Sequence, residues 1–341
     1  MNTMMKNEIA AQADLLPGLQ PLLAAAADAL PRAKGRILVG GCGDSAFAPE
    51  ALLEVFRRFG IAIEPRTSMQ LAHFTRFEEN DTVVLSSISG GTKRTVEAAD
   101  VARASGARVI AVTCNAESAL AKASAAAVIL PFAPLSRKTP HTLDYAITLL
   151  ALAEIGRSQA GLPADTLASS VADIAARLAQ ADTAARPIAD AYRSEGKIFF
   201  LGAGEDRGTA DYAAAKFHEA GGLVAISAES ENFVHGMNFM LEPEDTLVVV
   251  ASSPAAKRRG REIVEAFETL STAFLLTVGD EELAKADDAS VAFSQLLDQT
   301  FTLQYACLHA ANRLGLKLEE PRAGCQNGKI HLAAQSRAME S

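Results

Sequence analysis

The sequence is poor in tryptophan, cysteine and positive charge. Its 341 residues include no Trp, four Cys and six His, and 32 Lys plus Arg stand against 41 Asp plus Glu, for a formal net charge of -9. This charge argues against nucleic acid as a partner, because phosphate backbones are bound by basic surfaces. An anionic small molecule would have to be held by a local site.

The cysteines are too widely spaced for a disulfide framework or a zinc site. They are Cys42, Cys114, Cys307 and Cys325. Three of them lie in apolar or glycine-rich segments, which is typical of reduced thiols. We therefore expect no metal.

The first 17 residues contain no continuous apolar stretch and carry Lys6, Glu8 and Asp14. This composition predicts neither a signal peptide nor a membrane span, so we expect a cytoplasmic protein without a membrane partner. Hydrophobic residues make up 49% of the chain, enough for two cores of ordinary size.

The chain shows one pattern of strands and helices twice. After a helical stretch at 5–30, the first half predicts strands at 36–39, 61–64, 82–86, 108–113 and 127–130. The second half predicts strands at 197–202, 223–228, 246–252 and 273–278. Apolar strands separated by helices are typical of a parallel sheet covered on both faces, and the repetition indicates an internal duplication.

The pattern also gives domain bounds for this α/β chain. We expect an N-terminal helical segment at 1–35, a first domain at 36–160, a helical linker at 161–196, a second domain at 197–316 and a C-terminal tail at 317–341.

A hydroxyl-rich turn, Ser86-Ser87-Ile88-Ser89-Gly90-Gly91-Thr92, joins a predicted strand to a predicted helix. Glycines let backbone N–H groups turn inward, hydroxyls donate to oxygens, and the helix presents its positive end. A phosphate-like anion suits this turn, although Ser and Thr also cap ordinary helices. The second half has Ser252-Ser253-Pro254-Ala255-Ala256-Lys257 here, so we predict one anion-binding turn per chain.

A second glycine-rich turn, Gly40-Gly41-Cys42-Gly43-Asp44-Ser45, follows the first strand. A dinucleotide site needs Gly-x-Gly-x-x-Gly and an acidic residue about 20 positions on. Ala46 stands at the third glycine position, which disfavours that interpretation. Ser45 more plausibly adds a hydroxyl to the anion pocket, because parallel sheets bind ligands at the carboxyl ends of neighbouring strands.

Lys216-x-x-Glu219 forms a third motif, and His235-Gly236 follows 16 residues later. Helical spacing places Lys216 and Glu219 on one face, where the cation could orient and stabilise the carboxylate. An exposed helix pair and a loop histidine are the commoner origins of such spacings. The anion-binding turn favours the functional interpretation.

On these motifs the chain resembles the SIS (sugar isomerase) domain family in its double-domain form, as in the isomerase half of glucosamine-fructose-6-phosphate synthase. The resemblance covers most of the chain. It implies two tandem SIS domains, each a five-stranded parallel sheet flanked by helices in a flavodoxin-like three-layer sandwich.

The resemblance implies a role for each motif. It assigns sugar-phosphate binding to Gly43, Ser45, Ser87, Ser89 and Thr92. The family segment reads Ser-Gln-Ser-Gly-Glu-Thr, so Ile88 and Gly91 replace its Gln and Glu, and one amide donor is missing.

The resemblance implies that Glu219 is a base, held by Lys216, that moves a proton between C1 and C2 of an open-chain sugar through a cis-enediol. It implies that His235 opens the sugar ring and comes from the neighbouring subunit, so we expect a homodimer with shared active sites.

The family also has a substrate-contacting loop and a C-terminal lysine. The loop resembles residues 136–141, with Lys138 and Thr139 as candidates. The lysine corresponds to Lys329 only with a three-residue insertion; without a gap, Gln326 takes its place.

These residues predict an aldose–ketose isomerase of a phosphorylated or similarly anionic sugar, acting by acid–base chemistry without metal or redox cofactor. A deaminase or fructosamine deglycase would use the same enolisation. Ile88, which replaces the family glutamine, and the additional Arg137 are also compatible with a sugar that carries sulfonate in place of phosphate. A non-catalytic sugar-phosphate-binding regulator would dispense with Glu219.

Overall fold

The computed structural model describes residues 2–136, 140–278, 288–322 and 327–340. The chain divides into two compact units. The first-sheet unit comprises Leu15–Pro134, Asp144–Ala172 and Lys329–Ser341. The second-sheet unit comprises Met1–Asp14, Leu135–Leu143 and Asp173–Gly328.

The first-sheet unit is built on a five-stranded parallel sheet of order β2-β1-β3-β4-β5. Its strands are β1 (Ile37–Gly41), β2 (Glu64–Thr67), β3 (Thr82–Ser86), β4 (Arg108–Thr113) and β5 (Ala126–Ile129). The connecting helices are α2 (Asp44–Ala51), α3 (Leu53–Arg58), α4 (Ser68–His73), α5 (Lys93–Ala104) and α6 (Ala119–Ala123).

The central strands β1 and β3 are buried along their whole length, which explains the runs of apolar residues at 37–39 and 83–85. One face of the sheet packs Val83 and Leu85 against the alanines of α5, Ala98 and Ala102. Small side chains let this helix approach the sheet closely. Because α5 follows β3 after only six residues, its first turn lies at the carboxyl end of that strand.

The second-sheet unit repeats this order with strands β7-β6-β8-β9, all parallel. Its strands are β6 (Ile198–Gly202), β7 (Ala225–Glu229), β8 (Thr246–Val250) and β9 (Thr272–Leu276). Its helices include α9 (Asp206–Glu219), α10 (Ser230–Val234), α11 (Pro254–Phe267) and α12 (Ala289–Arg313).

The remaining helices are α1 (Thr3–Asp28), α7 (Leu143–Ala160), α8 (Ile174–Ala191) and α13 (Gly328–Glu340). Helix α8 packs along α12 in the second-sheet unit, where Arg177 Nε donates to Asp298 Oδ1 at 2.6 Å. Within the described ranges, no helix is both long enough and apolar enough to cross a membrane.

The predicted α/β class with two helix-flanked parallel sheets is confirmed. The second sheet has four strands in the described part of the chain, where the family resemblance implies five; residues 279–287 lie outside it. Cys42, Cys114 and Cys307 are free thiols, and Cys325 is outside the described residues.

The segment between β1 and β3 differs from the sequence prediction at the start of β2 and at helix α4. The strand expected at 61–64 begins at Glu64, because Gly60 turns with φ +75° and the Ile61 N–H bonds back to the Phe56 carbonyl. Helix α4 was not predicted. A capping box between Thr67 and Gln70 starts it directly after β2.

Candidate functional site

The predicted anion-binding turn lies at the carboxyl end of β3 and is held by its own hydroxyls. Ser87 Oγ lies 2.9 Å from Thr92 Oγ1, and the Gly90 N–H donates to Ser87 Oγ at 3.2 Å. The Gly91 N–H donates to Ser89 Oγ at 3.2 Å. Ser87 is buried and Ser89 is exposed, so the turn offers one fixed and one accessible hydroxyl.

Gly90 is required by geometry. Its φ is +65°, and a Cβ built on it would lie 2.2 Å from Ser118 Oγ. The Gly90 carbonyl also accepts from the Leu120 N–H at 3.0 Å. The start of α6 therefore presses against the turn and fixes its shape.

Helix α5 begins directly after the turn with an electrostatic bias toward anions. Its N-cap Thr92 makes no side-chain cap hydrogen bond, since Thr92 Oγ1 contacts Ser87 instead. The first turn of α5 contains Lys93 and Arg94 and no acidic residue. The positive end of the helix is thus not neutralised by a carboxylate within that turn.

The turn after β1 lies at the same sheet edge, because β1 and β3 pair in parallel with Gly40 opposite Leu85. A Cβ on Gly41 would lie 2.3 Å from Ser45 Cβ, so glycine lets the first turn of α2 fold tightly against the strand. Gly43 has φ +56°, and half-buried Ser45 is the second residue of α2.

Three side chains connect the turn after β1 with α4 and α5. Thr95 Oγ1 lies 2.9 Å from Ser68 Oγ and 3.6 Å from Cys42 Sγ. Ser68 and Thr95 are buried, whereas Cys42 is exposed. These contacts tie α4, α5 and the turn after β1 to each other.

The corresponding edge of the second sheet is filled by the protein's own carboxylates. Asp206 Oδ2 accepts from the Ser252 N–H at 3.0 Å, and Glu205 Oε1 accepts from Ser252 Oγ at 2.9 Å. Gln299 Nε2 donates to Asp206 Oδ1 at 3.2 Å. Burial and the neighbouring Glu205 charge raise the pKa of Asp206 to about 7.

Helix α11, the counterpart of α5, is capped by its own side chain. Ser253 Oγ accepts from the Ala256 N–H at 3.2 Å, and Pro254 occupies the first turn. Both anion-attracting positions of the second sheet are thus taken by protein groups, whereas α5 of the first sheet has neither a side-chain cap nor an acidic residue in its first turn.

Lys216 and Glu219 form an ion pair on α9. Lys216 Nζ donates to Glu219 Oε2 at 2.7 Å. The lysine side chain is 0% exposed and the glutamate side chain is 42% exposed. A buried cation therefore holds an accessible carboxylate, which differs from the exposed pair that commonly underlies this spacing.

Lys216 is enclosed by neighbouring groups of the second-sheet unit. Its Nζ lies 5.1 Å from the centre of the Tyr212 ring, and its carbonyl accepts from Cys307 Sγ at 3.3 Å. Burial raises the pKa of the Cys307 thiol, so that group is a structural donor.

The other predicted residues are less tightly placed. His235 ends α10 with 78% of its side chain exposed, and its Nε2 lies 4.0 Å from Glu231 Oε2. Lys329 is exposed in the first turn of α13. Lys138, Thr139, Arg137 and Gln326 lie outside the described residues.

Sequence reasoning missed Tyr212, Ser118, Thr95 and the Glu205–Asp206 cluster. Tyr212 carried a usable signal, since it precedes Lys216 by four residues on the same helix face. The partners Ser118 and Thr95 carried none, because each meets its turn through tertiary contacts.

Comparison with known proteins gives a family match and several similar folds. The model of the SIS domain family matches residues 30–153 and 191–293. No curated protein sequence matches the chain.

Solved structures cover nearly the whole chain at low identity. A glucosamine-6-phosphate deaminase from Thermotoga maritima aligns with a TM-score of 0.78 and 19% identity over 94% of this chain and 98% of its own. The C-terminal domain of glucosamine-fructose-6-phosphate aminotransferase from Francisella tularensis aligns with a TM-score of 0.73 and 18% identity, over 93% of this chain and 98% of its own. A tagatose-6-phosphate ketose/aldose isomerase from Escherichia coli aligns with a TM-score of 0.71 and 17% identity, over 93% of each chain. These similarities concern the fold.

Proposed function

The chain belongs to the SIS domain family, and from this premise we propose that it is an aldose–ketose isomerase of a phosphorylated or similarly anionic sugar. The observation that carries the proposal is the ion pair of buried Lys216 with accessible Glu219. A pair with this asymmetry suits proton transfer, because the base must reach substrate while its orientation is fixed.

In the proposed reaction the turn at Ser87–Thr92, together with Ser45 and Gly43, binds the anionic group of the sugar. Supporting this assignment are the fixed Ser87 and Thr92 hydroxyls and the start of α5, which has no acidic residue in its first turn. Backbone N–H groups and hydroxyls suit either phosphate or sulfonate oxygens.

Glu219 then removes the proton from C2 of the open-chain aldose, and the C1 carbonyl oxygen takes a proton to give a cis-enediol. The O2 proton leaves, and Glu219 returns its proton to C1, so that the ketose forms with no net change in atoms or electrons. Lys216 remains bound to Glu219 throughout and keeps the carboxylate oriented.

We assign ring opening to His235, whose exposed imidazole is accessible to a ligand or to a second subunit. A homodimer with shared sites, a cytoplasmic location and the domain bounds at 36–160 and 197–316 belong to the same proposal. Lys329 as a substrate-orienting cation also remains a proposal.

The test is incubation with hexose 6-phosphates, amino-sugar phosphates and sulfosugars in deuterated water, followed by NMR for exchange at C2. We expect exchange with at least one sugar, and its loss in Glu219→Gln with ligand binding retained. Glu320→Gln is the matched control, because Lys317 and Glu320 form an i,i+3 pair with both side chains exposed.

Other outcomes would redirect the proposal. Ammonia release from an amino-sugar phosphate would indicate the deaminase or deglycase reaction. Binding without exchange for every sugar would contradict enzymatic activity and favour a regulator.

A further inference from the structure

Tyr212 lies between the Lys216–Glu219 ion pair and the interior of the second-sheet unit. Tyr212, Lys216 and Glu219 are spaced by four and three residues, so they share one face of α9. The Tyr212 ring is fully buried, with the Lys216 ammonium 5.1 Å from its centre. This distance is within the range of a cation–π contact.

The Tyr212 hydroxyl fixes the orientation of the ring. It donates to the His141 carbonyl at 3.1 Å and accepts from Gln304 Nε2 at 3.1 Å. Gln304 is itself fixed, because its Nε2 also lies 3.2 Å from the Thr142 carbonyl and its Oε1 accepts from Gln12 Nε2 at 2.9 Å.

The network continues to a buried carboxylate on α1. Glu8 Oε2 accepts from the Thr142 N–H at 3.3 Å and from Thr142 Oγ1 at 3.0 Å. Glu8, Gln12, Thr142 and Gln304 are all buried. Helix α12 and the segment at 141–142 thus hold the phenol directly, and α1 supports both of them. The Tyr212 ring therefore presents a fixed face to Lys216.

A fixed aromatic face matters because an ammonium taken out of water needs compensating contacts. Glu219 supplies one of them, but that carboxylate is partly exposed to solvent, and a glutamate side chain has several rotamers available to it. The Tyr212 ring supplies a second contact, and this ring is fully buried. With the ammonium held by the ring, its hydrogen bond defines the position of the Glu219 carboxylate.

We propose that Tyr212 is a positioning residue for the proposed base: its anchored ring holds the Lys216 ammonium, which in turn orients the Glu219 carboxylate. This inference rests on the proposed function for the role of Glu219. It does not place Tyr212 in contact with substrate.

The kinetic test compares Tyr212→Phe, which keeps the ring, with Tyr212→Leu, which removes it. We expect Tyr212→Leu to lower kcat for C2 exchange about tenfold with KM within about twofold, and Tyr212→Phe to lose less than about threefold. The rates are expressed per folded molecule, measured by circular dichroism on the same samples. A loss of folded protein alone would then leave kcat unchanged, whereas a misplaced carboxylate lowers it.

The matched control is Tyr192→Leu. Tyr192 is equally buried in the same unit and packs edge-on against Phe217, with ring centres 5.7 Å apart. We expect this variant to lose stability without lowering kcat per folded molecule. If the two leucine variants lower kcat per folded molecule equally, the positioning role is wrong.

A second measurement does not depend on activity. Nitrogen-15-edited NMR detects slowly exchanging lysine ammonium groups, and the Lys216 signal is identified by its loss in Lys216→Met. We expect a signal shifted upfield by the Tyr212 ring, retained in Tyr212→Phe and moved or lost in Tyr212→Leu. A signal unchanged in Tyr212→Leu, or undetectable in wild type, overturns the inference. Absence of exchange by the wild-type protein overturns the proposed function instead.

Discussion

Lys216 Nζ lies 2.7 Å from Glu219 Oε2, and the two ends of this bond have opposite environments. The ammonium is shielded from solvent by the second-sheet unit, whereas nearly half of the carboxylate side chain is accessible. Surface ion pairs contribute little to folding stability, and buried charges often cost more than their attraction returns. A contribution to folding stability therefore does not explain this arrangement.

Lys216→Met provides the first prediction. Methionine fills the space with an apolar chain and leaves Glu219 hydrated, so the melting temperature is expected to stay the same or rise. C2 exchange is expected to fall about 10- to 100-fold, because the carboxylate loses its orienting partner. Calorimetry and the deuterium assay measure the two effects. Lys317→Met is the control, and unchanged exchange in Lys216→Met would contradict the proposed role.

The anion-binding turn provides the second prediction. Ser87→Ala removes a hydroxyl that contacts Thr92 and the Gly90 N–H, so it should weaken binding of inorganic phosphate about 10-fold or more, as measured by titration calorimetry. Ser253→Ala, at the corresponding helix start of the second sheet, removes a cap and should leave phosphate binding unchanged. Equal effects of the two substitutions on phosphate binding would argue against an anion site in the turn at Ser87–Thr92.

The third prediction compares alanine substitutions at Gly43 and Gly90, which lie at that sheet edge. The comparison distinguishes backbone strain from steric clash. Gly43 and Gly90 both have positive φ, but a Cβ on Gly43 meets no atom within 4 Å and a Cβ on Gly90 meets Ser118 Oγ at 2.2 Å. Gly43→Ala should destabilise the protein by about 1 kcal/mol, and Gly90→Ala by about 2 kcal/mol or more. Chemical denaturation compares them, and a smaller loss for Gly90→Ala would show that the turn moves away from α6.

Much of the fold could be predicted because its signals are local. The strands Thr82–Ser86 and Arg108–Thr113 have uninterrupted apolar centres and begin and end where expected. Helix α4 was missed, since its six residues begin at a capping box that follows β2 without any turn residues. The start of β2 was placed too early, because the apolar residues at 61–63 belong to the loop that follows Gly60.

The candidate site could be predicted only as far as its motifs reach. Residue spacing indicated that Lys216 and Glu219 share a helix face, but it could not show that one is buried and the other exposed. Nor could it show that Asp206 and Glu205 fill the turn after β6. A carboxylate after a glycine turn has the same sequence whether it faces solvent or Ser252. These properties depend on tertiary packing.

The filled turn of the second sheet gives the last prediction. Burial raises the pKa of Asp206 from 3.8 to about 7, so between these values the folded protein keeps a proton that the unfolded chain has lost. The contribution of Asp206 to stability is therefore complete below about pH 4 and declines as pH rises toward 7, by at most about 1.4 kcal/mol per pH unit.

Asp206→Asn replaces the carboxyl by a neutral amide of the same shape, which removes this dependence. Relative to wild type the variant should gain stability steadily from pH 5 to 7, and the difference should level off above pH 7. Thermal unfolding of both proteins across this range measures the difference, in which the titration of distant groups cancels. Parallel curves would show that Asp206 is already ionised at pH 5, and that its bonds from Ser252 and Gln299 outweigh its burial and the repulsion of Glu205.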